Sequence, residues 1–254
     1  MMLPVIASVV YAVTFVAEKF MKVAELQKKL SSLEDPDRAS SSKRFFKTGP
    51  GEYGEGDLFR GIRVPMLRKL AKEYQSLTLA EIERLLRSSY HEDRSLALLI
   101  LVRSYLKGDE SVKERTFDWY LKNTQFINNW DLVDCSAADI VGAFLWDKDR
   151  DVLYRLARSS NLWERRIAII ATLHFIRRGD FSETLKLAEV LLAEREDLIH
   201  KAVGWMLREV GNQNMNIEEE FLRSRYKRMP RVMLRYAIEK FPEPKRQQYL
   251  KSEV

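Results

Sequence analysis

The sequence predicts an all-α fold, an α-solenoid of paired helices with a concave basic groove. Three observations support this prediction. The 254 residues include only 10 glycines and 7 prolines, too few for the turns between many short strands. Apolar residues recur at spacings of three or four, and no alternating strand pattern is present. Three clusters of aromatic and charged residues recur roughly every 33 to 38 residues, a repeat length typical of stacked helical pairs.

The first predicted element is an amphipathic helix over about residues 13–33. It ends before Asp35-Pro36, because a residue that precedes proline avoids the helical region. The polar run 38–43 is predicted to be a connector. The segment 48–57 contains four of the ten glycines and is predicted to be a loop. Val64-Pro65 then opens the next helix, since proline is tolerated in a first turn.

The rest of the chain is predicted to consist of amphipathic helices joined by short connectors, over Leu79–Leu86, His91–Tyr105, Val112–Leu121, Asn129–Leu145, Arg150–Ala157, Leu162–Ile176, Ser182–Leu192, Leu198–Val210, Ile217–Tyr226 and Arg231–Phe241. The second helices of successive pairs begin at offsets of 37, 34, 36 and 30 residues, near Arg94, Asp131, Arg165, Lys201 and Arg231. This regularity is typical of HEAT-like repeats. Four of the five positions are basic, so one face is predicted to carry a ladder of positive charge.

The charge and cysteine content restrict the classes of partner and site. A net charge of +6 and a pI near 9.3 favour a polyanionic partner, because clustered basic residues displace counterions from phosphates. The single cysteine, Cys135, excludes an internal disulfide framework and a thiolate zinc cluster. The three histidines are scattered without metal-ligand spacing. We therefore expect a cytoplasmic monomer that uses no metal or cofactor.

The first sixteen residues are strongly apolar and allow two interpretations. No basic region precedes them, no cleavage site follows, and the run is shorter than the ~20 residues of a membrane-spanning helix. A weak membrane anchor is one interpretation. The other is that the natural product begins at Met21, with residues 1–20 coming from an upstream start and residues 21–254 forming a single domain. Sequencing the mature N-terminus distinguishes the two.

The candidate catalytic and binding residues lie in the three recurring clusters, at residues 129–134, 161–166 and 200–205. Trp130 and Asp134 are four apart and share one helix face. Asp131 is nearer the predicted helix start, where a carboxylate stabilises the positive end of the helix dipole. Asp134 has less structural reason to be acidic. Cys135 is interpreted as a small apolar residue, because no nearby cation would activate its thiol.

The second and third clusters supply basic and aromatic side chains. Arg165 and Arg166 point about a hundred degrees apart, so at most one of them faces the groove squarely. Lys201 and Trp205 share a face, and Gly204 allows a neighbouring helix or a ligand backbone to approach closely. Packing or ion pairing explains each residue alone. Their coincidence on equivalent helices favours a ligand-binding surface.

From about Met21 onward the chain resembles the AlkD-type DNA alkylation repair enzymes, which are all-helical HEAT-like DNA glycosylases. The resemblance rests on four segments: FKTGPGEYGEGD at 46–57, NWDLVD at 129–134, WERRIA at 163–168 and KAVGWMLRE at 201–209. It implies hydrolysis of the N-glycosidic bond of positively charged alkylated purines, such as 3-methyladenine and 7-methylguanine, in duplex DNA. It also implies that the lesion stays in the helix without base flipping.

The resemblance assigns roles to four residues: the catalytic carboxylate to Asp134, an essential arginine that holds a phosphate to Arg166, and active-site tryptophans to Trp130 and Trp205. We further expect contacts with DNA phosphates from the basic positions Arg94, Arg165, Lys201, Arg231 and Lys47.

Two other classes of function are compatible with an α-solenoid. The first is a non-catalytic HEAT-repeat protein that binds nucleic acid; the intact Asp134 argues against it, because a phosphate-binding groove gains nothing from a carboxylate. The second is a protein–protein scaffold, which the basic ladder and the paired tryptophans fit poorly.

Overall fold

A computed structural model describes residues 22–254 and confirms the all-α prediction over that range. The residues described form no strand, and the only β-type pairing among them is an isolated parallel bridge between Leu58 and Tyr90. Residues 1–20 and the start of the first predicted helix lie outside the described residues. Within 22–254, no helix combines the length and apolar character needed to cross a bilayer.

The described residues divide into two compact units, and the first comprises residues 22–112 with 125–127. Its helices are α1 (22–32), α2 (Pro36–Phe45), α3 (Val64–Glu73), α4 (Leu79–Leu86) and α5 (His91–Lys107). Both α3 and α4 pack against α5, which is buried along most of its length. The assignment of residues 21–254 to a single domain stays a prediction.

The predicted connector at 38–43 is wrong, because these residues belong to α2. Asp35 is the N-cap of this helix and accepts a hydrogen bond from the Arg38 amide at 2.9 Å. Pro36 occupies the first turn. The three serines of α2 are weak helix formers, but the two signals at its start outweigh them. No residue of α2 is buried, so its sequence lacks the apolar spacing that marked the other helices.

The glycine-rich segment is a loop, as predicted, and its own polar groups fix its conformation. The Gly49 amide donates to the Glu52 carboxylate at 2.8 Å. A Cβ atom at position 54 would lie 2.5 Å from the carbonyl oxygen of Phe46, so only glycine fits there.

The second unit comprises residues 113–124 with 128–254. Its helices are α6 (Glu110–Lys122, whose first residues belong to the first unit), α7 (Trp130–Asp134), α8 (Asp151–Ala157), α9 (Leu162–Ala171), α10 (Leu173–Ile176), α11 (Ser182–Val190), α12 (Asp197–Gln213), α13 (Met215–Arg223), α14 (Arg231–Ala237) and α15 (Glu243–Lys251). Within this unit α7 packs on α9, α9 on α12, and α12 on α14. The equivalent helices of successive pairs are therefore neighbours.

Two predicted helices are interrupted by hydroxyl side chains. Instead of one helix over 129–145, α7 ends at Asp134 and a π-helical turn follows at Ala138–Gly142. The Ser136 hydroxyl donates to the Leu132 carbonyl at 2.6 Å and so competes with the helical backbone pattern. The Thr172 hydroxyl bonds to the Ile169 carbonyl at 2.7 Å between α9 and α10. Two 3₁₀ turns complete the described helical structure, at Thr124–Phe126 and Ile238–Lys240.

A glycine permits the close packing of α12 on α14. A Cβ atom at position 204 would lie 2.4 Å from the carbonyl oxygen of Met233 and 2.5 Å from the Cβ of Tyr236. Carbonyl oxygens of a helix cannot move aside as a side chain can. The close approach expected at Gly204 is therefore confirmed, and the approaching group is a helix.

The Gly204→Ala variant is expected to be destabilised by about 1–3 kcal/mol, because the added methyl group forces α12 and α14 apart. Urea unfolding of the two proteins measures the difference. Gln213→Ala, at the exposed end of α12, is the control and should change the free energy of unfolding by less than about 0.5 kcal/mol. Equal stability of Gly204→Ala and the unmodified protein would contradict the packing at this contact.

Candidate active site

Asp134 is the last residue of α7, a helix held in place by its buried apolar residues and its cap. Leu132 and Val133 are fully buried. The N-cap is Asn129, whose side chain accepts from the Trp130 amide at 2.8 Å, whereas Asp131 lies in the first turn. Asp131 thus lies near the positive end of the helix dipole, as predicted. Since two apolar residues face the core, the Asp134 side chain is left near the surface and is 18% exposed.

Arg166 approaches Asp134 from α9. It lies on the buried stripe of that helix, three and four residues from its apolar neighbours Trp163 and Ile170. Arg165, one step around the helix, is half-buried on a different side. The burial pattern therefore turns Arg166, rather than Arg165, towards the neighbouring helices.

Asp134 and Arg166 form a bidentate ion pair. The Arg166 Nε donates to Asp134 Oδ1 at 2.9 Å, and Nη2 donates to Oδ2 at 2.8 Å. The remaining nitrogen, Nη1, donates to the carbonyl oxygen of Leu198 at 2.5 Å, in the first turn of α12. One guanidinium thus connects α7, α9 and α12. The planar fork fixes the carboxylate plane, and each carboxylate oxygen keeps a lone pair for another ligand.

Burial and the ion pair act in opposite directions on the Asp134 carboxyl. Burial raises the pKa of Asp134, and the hydrogen bonds and charge of Arg166 lower it; the net result is a pKa above the ordinary aspartate value. The charge of Asp131 raises the pKa of Asp134 further. An isolated carboxylate here would bind a proton more readily still, so Arg166 is the group that favours its ionised form.

The two predicted active-site tryptophans are half-buried. Trp130 precedes Asp134 by one turn on the same face of α7. Trp205 lies on the stripe of α12 that also contains Leu198, two turns further along the helix. Its indole Nε1 donates to Glu209 Oε1 at 2.9 Å, which fixes the orientation of the ring.

Two of the residues predicted to bind phosphate, Arg94 and Lys47, lie in the first unit. Arg94 is buried, whereas Lys47 is exposed. Arg94 is 5% exposed, and its Nη2 lies 2.6 Å from Asp57 Oδ2. The prediction of Arg94 as a surface phosphate contact is therefore corrected, because a buried carboxylate already neutralises its charge. Lys47 is exposed just after α2, with a left-handed φ of 51°.

The predicted basic residues of the second unit differ in their partners. Arg165 pairs with Glu194 at 3.1 Å and donates to the carbonyls of Ser159 and Ser160. Lys201 pairs with Asp197 at 2.8 Å across one turn of α12. Arg231 is exposed and donates to the Leu250 carbonyl at 2.8 Å. Lys201 and Arg231 present basic groups at the surface, and Arg165 is partly neutralised.

Several groups that hold Asp134 in place could not be identified from the sequence. The Leu198 carbonyl is a backbone group and has no sequence signal. Buried Tyr120 and Ser136 are hydrogen bonded at 2.9 Å and hold the chain that follows Asp134. Burial raises the pKa of the Cys135 thiol, and the neighbouring carboxylates raise it further, as expected for a residue that does not act as a nucleophile.

A family model described as DNA alkylation repair enzyme matches residues 26–241, most of the chain. The chain belongs to this family. The resemblance to AlkD-type enzymes is therefore confirmed, and membership supports a role in DNA alkylation repair that involves DNA. A comparison with curated proteins found no match.

Solved structures share the fold of the DNA alkylation repair family at low sequence identity. A predicted DNA alkylation repair enzyme from Enterococcus faecalis is 18% identical, with a TM-score of 0.64, and the match covers 83% of this chain and 97% of that one. AlkD2 from Streptococcus mutans is 19% identical, with a TM-score of 0.50, covering 88% and 98% of the two chains. At these identities the similarity establishes the fold alone.

Proposed function

We propose that this protein is a DNA glycosylase that hydrolyses the N-glycosidic bond of positively charged alkylated purines, such as 3-methyladenine and 7-methylguanine, in duplex DNA. The observation that carries the proposal is the bidentate Asp134–Arg166 pair, which orients a partly exposed carboxylate within a family of alkylation repair enzymes. The 18% exposure of the Asp134 side chain leaves its carboxylate accessible to a ligand.

The carboxylate of Asp134 is suited to the electrostatics of this reaction. A purine alkylated at N3 or N7 is cationic and leaves readily, and the sugar then acquires oxocarbenium character. A negative charge beside that sugar stabilises the transition state and can orient the attacking water. Because Arg166 already fixes the carboxylate plane, little reorganisation is needed when the charge develops.

Arg166 acts as a positioning residue in this proposal. The sequence led us to expect that it grips a phosphate, but its side chain is 5% exposed and its fork is occupied by Asp134 and Leu198. Its role is therefore to orient Asp134 and to keep the carboxylate ionised. The proposed contacts of the second unit with the DNA backbone are instead Lys201 and Arg231, and the exposed Lys47 of the first unit is a separate proposed contact.

The tryptophans complete the proposed site. The faces of Trp130 and Trp205 attract a cationic sugar through their ring quadrupoles and exclude water from it. A surface that reads the charge of the lesion needs no pocket around the base. We therefore propose that the base is released without flipping, and that activity is restricted to cationic lesions.

Incubation of the protein with methylated duplex DNA tests the proposal directly. The expected result is the release of free 3-methyladenine and 7-methylguanine in the supernatant, with abasic sites left in the duplex. Duplexes with 1,N6-ethenoadenine, a neutral lesion, serve as the control and should stay intact. Binding to methylated DNA with no released base would favour the alternative, a non-catalytic HEAT-repeat nucleic-acid-binding protein.

The Arg166→Gln variant is expected to move the acid limb of the pH–rate profile for base release to higher pH. Removing the cation removes the interactions that lower the pKa of Asp134, so a larger fraction of the carboxyl is protonated at a given pH. At the plateau the rate should fall by about tenfold to a hundredfold, as for other orienting partners. Single-turnover rates between pH 5 and 9 measure both effects.

Two companion variants separate orientation from charge. Arg166→Lys restores the positive charge without the fork, so it should return the acid limb towards its original position but recover the rate only partly. Arg165→Gln should leave the acid limb unchanged. If Arg165→Gln shifts the profile as much as Arg166→Gln does, the assignment of Arg166 as the positioning residue is wrong.

A further inference from the structure

We propose that Arg235 and Tyr236 of α14 form a phosphate-binding site for the DNA backbone a few nucleotides from the lesion. The inference rests on the proposed function only in taking duplex DNA as the ligand. It adds a second contact on α14, the helix that also carries the proposed backbone contact Arg231. Neither residue belongs to the positions that the sequence pattern singled out.

The close contact at Gly204 places Tyr236 directly beside α12. The Cβ of Tyr236 would lie 2.5 Å from a Cβ at position 204, so the two backbones are nearly in contact at this point. The next residue along α12 is Trp205. Trp205 points about 100° around the helix from Gly204, so α14 lies next to the face that carries the proposed active-site tryptophan.

Charged residues show which side of α12 faces Tyr236. Lys201 and Arg208 lie one turn before and one turn after Gly204, on the same stripe. Arg208 is hydrogen bonded to Glu239, which lies three residues after Tyr236. The stripe with Lys201 therefore lies next to α14 and the 3₁₀ turn that follows it.

The two side chains are exposed and have no partner within residues 22–254. Tyr236 is 36% exposed and its hydroxyl makes no hydrogen bond there. Arg235 is exposed and makes neither an ion pair nor a hydrogen bond in that range. Most other arginines of the second unit are engaged: Arg208, Arg225 and Arg231 each bind a carboxylate or a carbonyl. A guanidinium and a phenol O–H are both donors of the kind that contact phosphate oxygens.

Helix spacing indicates which phosphate these groups reach. Packed helices lie about 8–10 Å apart, and one DNA strand advances 3.4 Å per nucleotide along the duplex axis, so a strand crossing Trp205 passes α14 about two to three nucleotides later. The groups on α14 then hold the backbone at a distance from the reacting sugar. Such a contact sets the register of the duplex and carries no base specificity.

The experiment measures binding to a duplex with an uncharged, uncleavable abasic-site analogue, so that affinity is read apart from catalysis. Single methylphosphonates then neutralise one phosphate at a time on each side of the analogue. The variants are Arg235→Gln, Tyr236→Phe and the pair together. Arg223→Gln, 69% exposed on α13, is the matched control.

We expect the double variant to bind about tenfold to a hundredfold more weakly. Arg235→Gln should reduce the slope of log affinity against log salt by about one. A methylphosphonate two or three nucleotides from the analogue should weaken binding of the unmodified protein and have no further effect on the double variant. A merely structural role of the two residues would weaken binding equally at every substituted position.

The outcomes separate this inference from the proposed function. If the unmodified protein releases no base but the methylphosphonate at that position no longer matters to the double variant, the glycosylase proposal fails and the phosphate site stands. If base is released but every methylphosphonate affects both proteins equally, the phosphate site is wrong and the glycosylase proposal stands. Unchanged affinity of the double variant, or an equal loss in Arg223→Gln, also overturns the site.

Discussion

The Asp134→Asn variant is expected to release alkylated bases about 10²–10³ times more slowly than the unmodified protein. Asparagine keeps the shape of the side chain and one acceptor for Arg166, but it removes the negative charge that the reaction needs. Single-turnover rates at saturating protein concentration measure the chemical step. Affinity for an abasic-analogue duplex should stay within a few-fold, because Asp134 does not contact phosphates in this proposal.

The structure also predicts a stability effect for this variant. Arg166 would become a nearly buried cation facing a neutral amide, so the free energy of unfolding should fall, though by less than the ~3–5 kcal/mol for complete loss of a buried partner. Asp131→Asn is the control: it removes a first-turn carboxylate and should change the rate by only a few-fold. Base release at the original rate by a folded Asp134→Asn protein would refute the catalytic role.

Glu218→Gln is expected to remove a strong pH dependence from the stability of the protein. Glu218 is 1% exposed, its Oε1 has no hydrogen-bond partner within residues 22–254, and its Oε2 lies against Gly211. Burial raises its pKa to about 9. An acid whose folded pKa exceeds its unfolded value of 4.5 stabilises the protein fully below pH 4.5, and that contribution is lost as the pH rises towards 9.

Between these pH values the Glu218 carboxyl should shift the unfolding equilibrium constant by up to tenfold for each pH unit. Glu218→Gln removes this slope, so the variant should be more stable than the unmodified protein at pH 8. Urea titrations from pH 5 to 9 measure the effect. The neighbouring residue is an opposite control: Lys245 lowers the pKa of Glu219, so Glu219→Gln should lose stability at neutral pH instead. If the free energy of unfolding changes with pH in the same way for Glu218→Gln and the unmodified protein, the prediction is wrong.

Most helices could be predicted because burial sets the spacing of their apolar residues. The prediction failed where a cap or a side-chain hydrogen bond determines the local backbone conformation. Residues 36–45 lack an apolar stripe, so only the cap at Asp35 and the following proline could have identified α2. The hydroxyls of Ser136 and Thr172 interrupt helices whose apolar pattern continues through them. Such residues are also found inside unbroken helices, so spacing alone cannot separate the two outcomes.

The candidate site was predicted in its composition more than in its geometry. Asp134 and Arg166 were identified from the resemblance, but their pairing depends on three helices meeting, which no local pattern contains. Arg166 is spaced three and four residues from Trp163 and Ile170, and this helical spacing indicates from the sequence that Arg166 faces inward. Arg94 was misassigned because its basic character was visible and its partner Asp57, far away in sequence, was not.

The π-helical turn at Ala138–Gly142 makes this part of the site tolerant of one change in chain length. Gly142 is fixed against the carbonyl oxygen of Ala171, and Asp134 lies two turns earlier. A π turn accommodates one more residue than an α turn does. Removing one residue within Ala138–Gly142 would therefore convert the π turn into an α turn and leave the chain before it in nearly the same orientation, whereas a deletion in a regular α-helix rotates everything before it by about 100°. Homologues that lack one residue here can keep the Asp134 carboxylate directed at Arg166.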